Sequence, residues 1–100
     1  MNSEQKQLRR HAREQLLEEG LLTLEGRTVT VDILDVSFEQ ENGQVWGFGL
    51  LVPGVVSPQK ACVLQLPVSR FAGQYQCETV YALDSGFGYR VGLAVQQKAE

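Results

Sequence analysis

The feature that most constrains this chain is its punctuation. From Gly20 onward, short apolar runs are cut at close intervals by turn formers: Glu25-Gly26, Asn42-Gly43, Pro53-Gly54 and the stretch Asp84 to Gly88. Between them, apolar and polar residues alternate with the period of half-buried strands. Val29, Val31, Ile33 and Val36 mark one strand, Thr28–Val36, which the Glu25-Gly26 turn joins to Leu21–Leu24 in a hairpin. Trp46 to Val52 is a second run, opened by glycines. Cys62, Leu64 and Leu66 share a face, as do Tyr75, Cys77, Thr79 and Tyr81, and then Tyr89, Val91, Leu93 and Val95. Many short strands joined by tight turns define an antiparallel barrel or sandwich. A small open sheet would expose two edges, so a closed all-β barrel is the expected form.

The N-terminal region reads differently. From Ser3 to about Glu19 the composition favours helix, with Leu8, Ala12, Leu16 and Leu17 near helical spacing and Gly20 as a stop signal. The same leucines also fit a first strand that begins soon after Arg13, and periodicity does not choose between the two. The expected layout is an N-terminal arm over residues 1–20, flexible or partly helical, and a barrel over residues 21–97. The final residues should fray. With 100 residues, 43% of them apolar and 21% charged, the chain fits one ordinary globular domain. The N-terminus is polar, and no apolar run approaches the roughly 18 residues of a membrane span. The expectation is a cytoplasmic protein without membrane insertion.

Chemistry is sparse. No nucleophile stands with a base, and no phosphate-loop pattern is present. Cys62, Cys77 and the single His11 lack the spacing of a zinc site or a redox pair, so both cysteines are expected to be buried small hydrophobes. Asp32 and Asp35 differ by an odd offset, which on a regular strand sends them to opposite faces. The chain is not expected to be an enzyme or to carry a metal or cofactor. A formal charge of −3 gives no reason to expect a DNA or RNA polymer as partner.

Charge is nevertheless concentrated. Lys6, Arg9, Arg10 and Arg13 lie within eight positions with no acid among them. Arg9 and Arg13 carry planar forks that suit phosphate oxygens or the O6/N7 edge of guanine. Asp35-x-Ser37 follows at a strand end. A carboxylate there can accept from the N1 and N2 groups of guanine, beside a hydroxyl that donates or accepts. Taken singly, the arginine pair also fits a solvated charged face, and Asp-x-Ser fits ordinary strand-end turn chemistry.

In combination these residues resemble the PilZ domain family, bacterial receptors for cyclic di-GMP with the pattern RxxxR followed by [D/N]xSxxG. "RRHAR" supplies Arg9 and Arg13, and 21 residues separate Arg13 from "DVS", Asp35 to Ser37. The segment "CETVYALDSGFGYRVGLAV" is similar to the family's closing hairpin. The resemblance implies a six-stranded antiparallel β-barrel and a ligand held by Arg9, Arg13, Asp35 and Ser37, with Arg10 as an added contact. It also implies non-catalytic signalling through an unidentified downstream protein partner. The departure lies after Ser37, where Gln40 stands in the place of the motif glycine. If Gly47 is that glycine, seven residues have been inserted, and Asn42-Gly43 makes the insertion a small hairpin whose ends meet. Trp46 beside it could stack on a base or cover the barrel end. The competing expectation is a degenerate PilZ-like domain that binds no nucleotide and acts by protein–protein contact.

Overall fold

The computed structural model describes residues 11–99. Six strands form in chain order: β1 (His11–Leu24), β2 (Arg27–Glu39), β3 (Val45–Val52), β4 (Ala61–Leu66), β5 (Gly73–Asp84) and β6 (Tyr89–Ala99). All neighbours are antiparallel, and the sheet closes into a barrel in the order β1-β2-β3-β6-β5-β4. The expected all-β six-stranded antiparallel barrel is therefore present. Among the described residues no helix is long and apolar enough to cross a membrane.

The N-terminal boundary differs from the expected one. Residues 11–20 are not arm or helix but the first part of β1, registered against β2 from His11↔Glu39 onward. Edge pairing with β2 satisfies the backbone there, which outweighs the weak helical spacing of Leu16 and Leu17. Residues 1–10, with Arg9 and Arg10, lie outside the described residues.

Inside the barrel, Leu22, Val31, Ile33, Val36, Leu50, Leu64, Tyr75, Cys77 and Val91 are all but inaccessible. Tyr75 meets Phe48 edge-on at 4.9 Å, and its hydroxyl donates to the Phe71 carbonyl at 2.6 Å, so the polar tip of a buried aromatic is satisfied. Thr79, also buried, donates from Oγ1 to the Ser57 carbonyl and accepts from the Lys60 amide, both at 2.8 Å. That hydroxyl fastens the β3–β4 crossover to β5. The seam between β1 and β4 is the shortest in the barrel, with Leu21–Leu24 facing Cys62–Gln65.

Alternation inside this barrel is interrupted by bulges, and they decide what faces outward. Between β2 and β3, Leu34 is an extra residue, because Ile33 pairs with Leu50 and Asp35 with Gly49. Without it Asp35 would follow Val31 and Ile33 inward. With it Val36 turns inward instead, and Asp35 and Ser37 turn out. Asp32 and Asp35 consequently share the outer face, which corrects the opposite faces expected of a regular strand. Val80 is similarly extra on β5, since Thr79 pairs with Leu93 and Tyr81 with Gly92. Tyr81 thus leaves the face of Tyr75, Cys77 and Thr79 and is 41% exposed.

Cys62 and Cys77 are buried, free and directly opposite one another on β4 and β5. Burial pushes the Cys62 thiol up from 9.0 to about 11, and burial with the Coulombic effect of Cys62 pushes Cys77 up to about 12. In the unfolded chain these thiols lose protons near their ordinary value, whereas the folded barrel retains them. Stability should therefore be undiminished below about pH 9 and fall as pH rises toward 11–12. Thermal melts across that range should show this decline, and the Cys62→Ala/Cys77→Ala double variant should show a shallower one.

Candidate functional site

Three rows of cross-strand partners on the outer face build the site. Arg13 lies opposite Ser37, Ser37 opposite Gly47, and Gly47 opposite Ala94. The next row is Gln15, Asp35, Gly49, Gly92 and Tyr81, and the one after it Glu19, Asp32, Leu51, Arg90 and Leu83. Rows on one face are about 7 Å apart, two residues of strand rise. Arg13, Asp35, Ser37, Gly47, Tyr81 and Arg90 are among the residues that line one cavity of ≈ 200 Å³ across these rows.

Glycines make the floor, each for a different neighbour. A Cβ on Gly49 would stand 2.7 Å from Asp35 Oδ1, so its absence gives the carboxylate room to lie across β3. A Cβ on Gly92 would run into the Tyr81 ring, which rests on that backbone. At Gly47 the obstruction is main chain, the Leu93 carbonyl oxygen at 2.5 Å. The resemblance implies a motif glycine whose backbone passes close to a ligand base, with Gly47 in that place. Its visible constraint is the approach of β3 to β6.

The segment after Ser37 is a hairpin, as the chain's turn signals imply, though its connection differs in detail. β2 runs to Glu39, whose amide donates to the Gln44 carbonyl at 2.8 Å, while Gly43 N donates to the Glu39 carbonyl at 2.8 Å. The Asn42 side-chain oxygen accepts from Gln44 N at 2.8 Å. Asn42-Gly43 therefore closes a connection from Gln40 to Gly43, longer than a two-residue turn, with Gly43 at φ 75°. The ends of the segment meet, and Gly47 returns to the position opposite Ser37.

Trp46 is the extra residue of a third bulge, because Ser37 pairs with Gly47 and Phe38 with Val45. It is 45% exposed and, with Ala12, Arg13 and Ser37, lines a second cavity of ≈ 400 Å³. Beyond Trp46 a third cavity of ≈ 390 Å³ opens at the barrel rim, near Arg70. The Arg70 guanidinium lies over the Phe38 and Phe71 rings at 5.3 and 4.7 Å and pairs with Glu14 at 2.8 Å. Its charge is already engaged. Among the described residues no ion pair joins Arg13 or Arg90 to Asp35, so the first cavity keeps both signs of charge available to a third party.

Of the residues singled out in the sequence, Arg13, Asp35, Ser37 and Gly47 come together around one cavity and Trp46 borders the adjoining one. Arg9 and Arg10 lie outside the described residues. Tyr81, Arg90, Gly49 and Gly92 were missed, although "WGFG" and "YRVG" carry the glycines that such close approaches need. Among the described residues no cluster of His, Cys, Asp and Glu could hold a metal ion. Comparison with protein families, with curated proteins and with solved structures gave no match for this chain.

The glycine contacts separate structural from site effects. Gly47→Ala forces backbone from backbone and should cost about 1–3 kcal/mol in denaturant unfolding. Gly49→Ala meets only the mobile end of Asp35. It should unfold close to the parent midpoint, the change being confined to where the carboxylate sits.

Proposed function

We propose that the chain is a non-catalytic receptor domain for cyclic di-GMP, of the PilZ kind, acting in the bacterial cytoplasm. The observation that carries the reading is the convergence of Arg13, Asp35, Ser37 and Gly47 on one cavity. These residues are far apart in sequence, and an insertion interrupts their motif. A carboxylate and a guanidinium in one groove, not spent on each other, suit guanine and phosphate together: Asp35 accepts from guanine N1–H and N2–H, and Arg13 donates to phosphate oxygens. Ser37 lies beside both, and Arg90 adds a second positive group on the opposite wall.

Arg9 and Arg10 enter this reading from the sequence alone. They precede β1 in the chain, and by the resemblance they would hold the phosphates in the bound state. The resulting change of surface would be what a downstream protein partner reads. The second reading, a PilZ-like domain that binds only protein, draws on the opposite rim. There Val55, Leu83 and Phe87 are exposed, Phe87 at 90%.

Calorimetric titration with cyclic di-GMP decides between them. Saturable binding is expected, weakened about 10- to 100-fold by Arg13→Ala or by Asp35→Ala, as loss of a charged hydrogen bond implies. Absence of binding at high micromolar ligand would favour the protein-only reading. Deleting Glu39 to Val45, so that Phe38 joins Trp46, should leave binding saturable, because the Ser37–Gly47 pair lies outside the deletion.

A further inference from the structure

Arg13 stands between two unlike cavities. The smaller contains Asp35 and, across Gly49 and Gly92, the Tyr81 ring. The larger is lined by Ala12, Arg13, Ser37 and Trp46, with no carboxylate among them. Arg13 and Ser37 belong to both. A cyclic dinucleotide has the same partition, with one planar base on either side of a phosphodiester ring. Resting on the cyclic-dinucleotide reading above, we infer that the site reads the two bases unequally, requiring guanine in the Asp35 cavity and accepting either purine against Trp46.

The asymmetry follows from the functional groups. Guanine presents N1–H and an exocyclic amine to a carboxylate, whereas adenine presents an acceptor at N1. Adenine there leaves the carboxylate facing a lone pair, the kind of mismatch that polar sites reject most strongly. Against Trp46 the contact is a π-face, which every base possesses. Ser37 can donate or accept, so its hydroxyl serves either base edge. Arg13, shared by the two cavities, faces the phosphates between the bases. The bulge at Trp46 turns its side chain out beside Arg13, on a strand of the barrel. The hairpin thus adds a second base platform, one that meets a base chiefly by its face.

The chain has one tryptophan, so its fluorescence reports on this platform alone. The full chain would be titrated by calorimetry and fluorescence with cyclic di-GMP, with the mixed cyclic GMP-AMP of two 3′–5′ linkages, and with cyclic di-AMP. The mixed ligand should bind within about threefold of cyclic di-GMP, and cyclic di-AMP about 100-fold or more weaker. Both tight ligands should alter Trp46 emission. Trp46→Ala should weaken both by about tenfold while Trp46→Phe stays near the parent. Tight cyclic di-GMP binding with the mixed ligand as weak as cyclic di-AMP overturns the unequal reading and leaves the receptor standing. So does parent affinity in Trp46→Ala. Failure of all three ligands to bind overturns both.

Discussion

The inside of a six-stranded barrel accepts only every second side chain, and it accepts almost none that are charged. A strand that carries an aspartate at an inward position must therefore break its alternation or pay several kcal/mol of desolvation. β2 breaks it. Leu34 takes up one extra residue, Val36 goes in, and Asp35 and Ser37 come out on the surface that β1, β3 and β6 share. The same device turns Tyr81 out through Val80 and Trp46 out through its own bulge. Every side chain with site chemistry on β2, β3 and β5 thus owes its direction to a local offset of register, and core packing holds each offset in place.

Once the side chains face outward, the close approach of β3 and β6 decides what they can form. Gly47, Gly49 and Gly92 leave a path across two strands where Cβ atoms would otherwise stand. Asp35 and Tyr81 lie down over that path from opposite sides. Their positions are consequences of the barrel's closure and not of contacts with each other. On the receptor reading, a groove made this way needs little reorganisation to bind.

Much of the fold was legible because turn pairs and alternation are local signals. Glu25-Gly26 joins β1 to β2 with both residues in the left-handed region, as such a turn demands. The runs Cys62, Leu64, Leu66 and Tyr75, Cys77, Thr79 lie inward as read. What misled was also local. Leu16 and Leu17 suggested helix, but they sit at a bulge of β1 where Leu17 takes φ 54° and is 70% exposed. Bulges leave almost no mark in a single sequence, since one residue shifts phase without changing composition. That is why Tyr81 was placed on one face with Tyr75, Cys77 and Thr79, and Asp32 on the face opposite Asp35. Arg90 and Gly92 reach the site only through strand order, with β6 beside β3, and no local pattern encodes that adjacency.

The hairpin after Ser37 shows how an outer surface can gain a group without loss of its frame. An antiparallel pair lengthened by equal amounts on both strands keeps every earlier register, so residues added beyond Ser37 and Gly47 need not disturb Asp35 or Arg13. Here the lengthening is unequal by one residue, and that residue is Trp46. A surplus of one cannot pair, so its side chain is displaced to the outer face next to the arginine. The hairpin therefore leaves the register at Asp35 and Ser37 intact and sets Trp46 apart by its single asymmetry. On the receptor reading, altered base selectivity is the form such a change would take, because the new group offers mainly stacking area, with one N–H donor and no acceptor at its edge.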